Sequence, residues 1–405
     1  MTVQDLTSEQ VTELFLRSLA RPGTTASGPN EGKLRVRVLT QNMFIRPPGI
    51  KNNDNDFKDE RLEYFIDEIL PNYDIVCLQE MFEFGSNRRR LLLNAARQLG
   101  FGYYVASPTK NVWDMQIDGG LVILSRFPIV KHERVTYKRG MMSDWLASKG
   151  VLYAKVAVAH PQISSSEPGT ASYLHIFTTH TQASYGSPVL MTQSDVKHRL
   201  LQLHQFHNFL EEVLPKHRAD GEPVVLVGDF NVDSRAHNLE EGSPYERERQ
   251  DGIETSDEGK AMIDIICGRG IDPAVLGSRN KDEFKGKVIY EFEDLLYTRH
   301  GYHPVTFGNI VVDPETGVAR AREQVLTTKQ DNMVMHSIDY VLWYNPGEPT
   351  NGVKAEMDDV AVVPNFVSGK SFTQISDHYG VGAIISFNKQ PQAHQGDSED
   401  KLIAT

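Results

Sequence analysis

The sequence has few cysteines and no long apolar run. Its 405 residues include only Cys77 and Cys267, which excludes a framework of several disulfides and favours a reducing compartment. No segment approaches the roughly 20 apolar residues needed to span a bilayer, and the N-terminus lacks the basic region and apolar core of a signal peptide. We therefore expect a cytoplasmic or peripheral membrane location.

Positive charge is also scarce. Lys and Arg total 42 against 54 Asp and Glu, which gives a formal net charge of −12. This balance disfavours a protein that holds a nucleic-acid backbone by general electrostatics. The chain is 40% hydrophobic and can bury a large core. Its length allows two or three domains or a single large α/β sandwich.

A short apolar run, residues 224–228, precedes Asp229 and Asn231. The run predicts a strand that is buried on both faces and brings both polar side chains to its C-terminal end. If the chain stays extended, their spacing of two places them on one face, and Gly228 lets the backbone approach a ligand. The alternative is a strand followed by an Asx-type turn.

Other predicted strands also carry polar groups at their ends. These groups are Asn42, Glu80, His180, Asp339 near the start of its own strand, and the pair Asp377 and His378 before the last strand. One such residue alone is most often solvated or capping. Their joint occurrence at strand ends indicates a single site. The apolar runs predict strands at 34–39, 74–80, 121–124, 151–158, 172–179, 224–228, 337–343 and 380–386.

The remaining pattern predicts helices and loops around these strands. Apolar residues at helical spacing predict helices at 7–19, 62–70, 88–99 and 195–214. We expect a surface loop at 233–258, and short strands and turns at 280–330. The predicted organisation is an N-terminal helix and linker at 1–32, one catalytic domain at 33–387, and a disordered tail at 388–405.

The polar motifs resemble those of the endonuclease/exonuclease/phosphatase superfamily, the magnesium-dependent phosphodiesterases of deoxyribonuclease I type. The matching motifs are Gln41-Asn42, Gln79-Glu80, His180, Gly228-Asp-Phe-Asn231, Ile338-Asp-Tyr340 and Ser376-Asp-His378. Residues 118–126 and 179–183 resemble internal motifs of the neutral sphingomyelinase branch. The basic and aromatic signature of the inositol 5-phosphatase branch is missing before Asp339.

The resemblance implies an α/β fold, a four-layer sandwich of two mixed β-sheets flanked by helices, with the active site at one end of the sheets. It implies Mg²⁺, for which Mn²⁺ or Co²⁺ can substitute. Glu80 would be the principal metal ligand, with Asn42 orienting it and Asp377 beside it. Oxygen ligands of this kind suit a hard cation.

The resemblance also implies roles for the other polar residues. His378 would be the general base, because imidazole titrates near neutral pH, and Asp339 would hold its other ring nitrogen. Asp229 and Asn231 would position the nucleophile and a phosphoryl oxygen. His180 would donate a hydrogen bond to the phosphate.

The implied activity is that of a phosphodiesterase that cleaves a phospholipid, sphingomyelin, into ceramide and phosphocholine. The net charge fits a zwitterionic head group better than a polyanion, so nucleic acid is the less favoured substrate. A nuclease or other soluble phosphodiesterase or phosphatase is the alternative, and the intact motifs disfavour an inactive scaffold. We expect membrane contact through the aromatic region 284–307, which would otherwise fill a small core of its own.

Overall fold

The structure is a computed structural model that describes most of the predicted catalytic domain. The described residues are 33–51, 53, 55–110, 113, 116–158, 172–184, 189–235, 257–280, 283–327, 333–349 and 352–389. The predicted helix at 7–19, the linker that follows it, the tail beyond 389 and most of the predicted loop at 233–258 lie outside these residues.

The described strands and helices alternate irregularly along the chain. In chain order the strands are β1 (Lys33–Ile45), β2 (Ile75–Met81), β3 (Tyr103–Ala106), β4 (Val122–Ser125), β5 (Ile129–Thr136), β6 (Gly150–Val158), β7 (Ser172–His180), β8 (Val224–Asp229), β9 (Glu293–Asp294), β10 (Phe307–Gly308), β11 (Ile310–Val312), β12 (Ala319–Ala321), β13 (Met335–His336), β14 (Asp339–Tyr344), β15 (Val353–Val363) and β16 (Gly380–Lys389). The α-helices are α1 (Lys58–Tyr64), α2 (Arg88–Gln98), α3 (Ser194–His217), α4 (Asp257–Ile266) and α5 (Leu295–His300). A π-helix, Phe65–Ile69, and a 3-10 turn, Leu70–Asn72, continue α1.

Two six-stranded sheets form the centre of the fold. Their strand orders are β15-β16-β1-β2-β4-β3 and β5-β6-β7-β8-β14-β9. β1 runs parallel to β2, and β7 runs parallel to β8, whereas the other neighbours are antiparallel. Both sheets are therefore mixed, as predicted.

Apolar side chains fill three layers between and outside the sheets. The inner faces meet in one core that includes Val38, Ile123, Ile176 and Val227. The outer face of the first sheet is covered by α1, its π-helical continuation and α2, and that of the second sheet by α3 and α4. Helix, sheet, sheet and helix thus form the predicted four-layer α/β sandwich.

Most predicted strands agree with the structure to within two residues, but several boundaries were wrong. β1 continues to Ile45, well past the predicted end at residue 39. The predicted loop 233–258 ends too late, since Glu258 lies in α4 and accepts a 2.7 Å hydrogen bond from buried Arg199. Asn388 belongs to β16 and not to the tail. Within the region 280–330, where short strands and turns were predicted, residues 313–317 form a turn closed by a 2.8 Å hydrogen bond from the Gly317 amide to the Asp313 carbonyl.

The aromatic region 284–307 does not form an exposed docking surface. Phe284, Tyr290 and Phe292 are at most 6% exposed, and Leu296 is 1% exposed. Tyr290 and Phe292 belong to the core under the second sheet, while Leu296 belongs to the core between the sheets. Membrane contact through these buried side chains is therefore contradicted, and so is the alternative of a small core of their own, because they belong to the main cores of the sandwich.

Gly228 is required by the contact between β7 and β8. Its φ is +133°, and a Cβ at this position would lie 2.3 Å from the Thr179 carbonyl oxygen. The sequence suggested that Gly228 lets the backbone approach a ligand. The close approach that the structure shows is instead to the neighbouring strand. We expect Gly228→Ala to lower the free energy of unfolding by about 2–4 kcal/mol, through steric overlap and backbone strain.

Chemical denaturation measures this loss, and Gly277→Ala is its control. Gly277 also has a positive φ, +77°, but no atom lies within 4 Å of the position that an added methyl group would take. The control isolates backbone strain and is expected to cost about 1 kcal/mol. Equal losses in the two variants would show that the contact with Thr179 has no cost.

Candidate active site

The predicted polar residues meet at one edge of the two sheets. Asn42 and Glu80 lie near the C-terminal ends of the parallel strands β1 and β2, and His180 and Asp229 end the parallel strands β7 and β8. Asp339 begins antiparallel β14 directly opposite Asp229. Parallel strands present their C-terminal ends at the same edge, which brings these groups together.

The Asn42 side chain joins the two sheets at this edge. Its Nδ2 donates to Asp229 Oδ2 at 2.9 Å and lies 3.3 Å from Glu80 Oε1. Its Oδ1 accepts a 3.0 Å hydrogen bond from the Phe44 amide. One buried amide therefore fixes a carboxylate from each sheet in a common cluster.

His378 and Asp339 form a buried pair beside this cluster. His378 Nδ1 lies 2.9 Å from Asp339 Oδ2, and His378 Nε2 lies 3.8 Å from Asp229 Oδ2. Burial favours the neutral imidazole, but the charges of Asp339 and Asp229 outweigh it and raise the pKa of His378 to about 10. The Phe307 ring, 4.8 Å from the His378 ring between centroids, covers the imidazole.

His180 faces the same carboxylates from β7. Its Nε2 lies 3.4 Å from Asp229 Oδ2 and 4.0 Å from Glu80 Oε1. Burial lowers the pKa of His180 well below its ordinary value, and the charges of Lys149 and His378 add to this effect. The ring is therefore neutral at physiological pH and can donate one hydrogen bond.

Negative charge accumulates in this buried cluster. Burial raises the pKa of Asp377 to about 6, and the nearby Glu80 carboxylate also raises it. Burial likewise raises the pKa of Asp229, with a further contribution from Asp339. Carboxylates with raised pKa values in one buried site indicate a place where added positive charge is stabilising.

Asn231 does not share a face with Asp229 as an extended chain would require. β8 ends at Asp229, and Asn231 has a φ of +52°. The Asn231 amide donates to Asp229 Oδ1 at 2.9 Å, which is the Asx-type turn that the sequence allowed as an alternative. Asn231 Nδ2 instead donates to the Thr181 carbonyl at 3.1 Å. The residue still adjoins the cluster through the turn.

Glu80 has the features of a metal ligand. Its φ is +52°, an uncommon backbone conformation for a residue other than glycine. Oε1 adjoins Asn42, whereas the buried Oε2 has no hydrogen-bond partner in the described part of the chain. A buried carboxylate oxygen with no donor suits a hard cation.

A second group of possible ligands includes Asp229. Among the described residues, Asp229, Asp339 and His378 can bring one ligand atom each within 4.8 Å of one another. In this group, however, His378 Nδ1 and Asp339 Oδ2 already lie at hydrogen-bond distance. Asp339 Oδ1, like Glu80 Oε2, has no hydrogen-bond partner among the described residues. The structure therefore contains two candidate metal positions, one at Glu80 and one at this second group.

Lys149 is a site residue that the sequence reasoning missed. Its ammonium group is buried and donates to Asp144 Oδ2 at 2.8 Å and to the Thr181 carbonyl at 2.7 Å. Its charge lowers the pKa of both His180 and Asp229. Lys149 precedes β6, whose Gly150 pairs with His180, and this register is not visible in the sequence.

Family comparison agrees with the geometry. The model of the Endonuclease/Exonuclease/phosphatase family matches residues 42–378, from the amide between the sheets to the buried histidine. The chain belongs to this family. The predicted superfamily and hydrolase class are thereby confirmed.

Within the family the chain resembles sphingomyelinases, as the sequence indicated. A sphingomyelinase of Dictyostelium discoideum is 29% identical over 481 aligned positions, which cover 87% of this chain and 99% of the relative. Sphingomyelinase C 2 of Leptospira interrogans is 28% identical over 217 positions, which cover 50% of this chain and 32% of that protein. The Dictyostelium relative thus matches along almost its full length.

Solved structures confirm the fold. Sphingomyelinase C from Streptomyces griseocarneus superposes with a TM-score of 0.51 at 22% identity, covering 86% of this chain and 98% of that chain. Beta toxin from Staphylococcus aureus gives 0.51 at 18% identity, with 86% and 99% covered. In the described residues, none of the helices combines the length and apolar character needed to cross a membrane.

Proposed function

We propose that this protein hydrolyses sphingomyelin to ceramide and phosphocholine by metal-assisted attack of water. The observation that carries the proposal is the match to the Dictyostelium sphingomyelinase over 99% of that relative. The buried cluster supports it, because carboxylates and an amide can hold a hard cation, and imidazoles can accept a proton from water or donate a hydrogen bond to a phosphate.

Glu80, Asn42 and Asp377 are the proposed metal site. Asn42 Nδ2 engages Glu80 Oε1 and leaves the buried Oε2 for the ion. Bound there, Mg²⁺ would neutralise the charge that develops on the phosphoryl and leaving oxygens. Mn²⁺ and Co²⁺ are proposed substitutes, since both accept oxygen ligands.

His378 is the proposed general base. Asp339 holds Nδ1, so Nε2 is the nitrogen that takes a proton from the attacking water. A divalent cation at Glu80 and Asp377 would offset part of the negative charge that raises the pKa of His378. The imidazole would then lose its proton nearer to neutral pH and be available as a base.

The remaining site residues are proposed to hold the substrate. The neutral His180 would donate to a phosphoryl oxygen as negative charge grows there. Asp229 and Asn231, locked together by the turn, would position the water and a second phosphoryl oxygen. Lys149, which donates to the Thr181 carbonyl, would add positive charge beside these residues.

The direct test is release of phosphocholine from sphingomyelin in detergent micelles. We expect release with Mg²⁺, no release after chelation, and recovery with Mn²⁺ or Co²⁺. Phosphatidylcholine, supercoiled DNA, abasic DNA and inositol polyphosphates complete the substrate panel, with His378→Ala protein as the control for contaminating activity. Cleavage of DNA or inositol phosphates without phosphocholine release would instead identify the alternative, a nuclease or soluble phosphodiesterase.

A further inference from the structure

Exposed apolar side chains lie on the segment between β5 and β6. We call residues 138–147 the β5–β6 loop. Met142 is 71% exposed, Trp145 41% and Leu146 44%, and the first two belong to a 3-10 turn, Met142–Trp145. Large apolar side chains clustered in this way on a surface mark a site of contact with another apolar surface.

The β5–β6 loop is fixed to the segment that follows His180. The Met141 amide donates to Gln182 Oε1 at 2.7 Å, and buried Asp144 accepts from the Ala183 amide at 2.7 Å. Ala147 forms a bridge with Ile117 on its other side. The loop therefore presents its apolar residues from a fixed position at the rim of the active site.

The charge on the β5–β6 loop differs from that of the whole chain. Lys138 and Arg139 are exposed, and Arg139 lies 3.7 Å from the Trp145 ring centroid. The only acidic residue in the loop, Asp144, is buried and bonded to Lys149. The exposed side thus combines apolar and basic groups on a chain whose net charge is −12. Bilayer surfaces attract this combination, because phosphate groups lie above acyl chains.

We propose that the β5–β6 loop docks the protein on phospholipid bilayers, with Met142, Trp145 and Leu146 entering the interface and the basic residues contacting lipid phosphates. The inference rests on the proposed function, since a bilayer substrate must be brought to the buried cluster. Docking beside His180 would place the site over the head groups while the sandwich stays in water.

The test compares wild type with the variant Met142→Ser/Trp145→Ser. Binding is measured as the protein that sediments with vesicles of sphingomyelin and phosphatidylcholine. The buffer contains a metal chelator so that no hydrolysis occurs. Loss of two apolar groups that would enter the bilayer is expected to weaken vesicle binding at least about tenfold. Phosphocholine release from vesicles should fall in parallel. Release from a short-chain sphingomyelin below its micelle concentration should stay within about twofold, because a monomeric substrate needs no docking.

Ile289→Ser is the matched control. Ile289 is 47% exposed, and its neighbour Val288 donates to Glu211. Ile289 is thereby placed away from the active site. Arg199 contacts the Gln182 carbonyl near the site, and Glu211 lies about three helical turns further along α3. The control should bind and cleave vesicles like wild type.

A second measurement tests insertion of Trp145 directly. In protein carrying Trp113→Phe, lipids with brominated acyl chains should quench Trp145 fluorescence.

The outcomes separate the two proposals. Phosphocholine release by wild type from both substrates, with equal vesicle binding by wild type and the double variant, would overturn docking by this loop and leave the function intact. Absence of release from either substrate would overturn the function, and the binding and quenching data would still decide the docking. Loss of self-association in the double variant, without a change in vesicle binding, would identify the loop as a protein interface and overturn the proposal.

Discussion

Replacing Glu80 with glutamine is expected to lower the rate of hydrolysis by roughly two to four orders of magnitude. The substitution keeps the size and the contact with Asn42 but removes the charge that would hold the metal ion. Because the Glu80 side chain projects into the site, the free energy of unfolding should change little. Initial rates measured against Mg²⁺ concentration should show a midpoint shifted to higher metal.

Asp339→Asn distinguishes the two candidate metal positions. Asp339 belongs to the group formed with Asp229 and His378. Glu80 is not a member of that group and contacts Asn42. With the metal at Glu80, Asp339→Asn should reduce the rate but leave the Mg²⁺ midpoint near that of wild type. A wild-type midpoint in Glu80→Gln, together with a shifted one in Asp339→Asn, would assign the ion to the second group.

His378→Ala and Asp339→Asn are expected to be strongly non-additive. Each single substitution should reduce the rate by roughly 10²–10⁴, because one removes the base and the other its orientation. Once His378 is absent, Asp339 has no imidazole to orient. The double variant should therefore match His378→Ala alone in rates measured at saturating Mg²⁺.

A second histidine–aspartate pair supplies the control for this cycle. His336 Nδ1 lies 2.6 Å from Asp233 Oδ2, and the His336 ring stacks on Phe307 with 6.2 Å between the ring centroids. His336→Ala should change the rate by less than about tenfold, since the residue does not touch the carboxylate cluster. Independent, multiplying losses for His378 and Asp339 would show that they do not act as one unit.

The candidate site could be proposed from the sequence because each of its predicted residues adjoins a buried strand. Runs such as Val224–Asp229 combine burial on both faces with a polar residue at the end, so sequence alone located the residue and its edge. Sequence could not give the pairing between strands that are distant in the chain. Lys149 was missed for this reason, since it reaches the site through the pairing of Gly150 with His180.

β5 and β15 were not among the predicted strands, and each omission has a specific cause. β5 is an edge strand with a largely charged and exposed sequence, and β15 contains a bulge between Met357 and Asp359 that breaks the alternation of its side chains. Neither shows the pattern on which strand prediction depends. The aromatic run at 284–307 indicated apolar contact correctly, but composition does not distinguish contact with a core from contact with a membrane.

The position of β16 has a consequence for how the enzyme is made. This last described strand lies between β15 and β1, and Lys33 pairs with Asn388. A ribosome must therefore release every residue between these two strands before β1 gains this neighbour, and contacts so distant in sequence slow folding. Asp377 and His378 directly precede β16, so the nascent polypeptide acquires its proposed general base in the same late event. A chain that stops before Asp377 therefore lacks both this central strand and the proposed base.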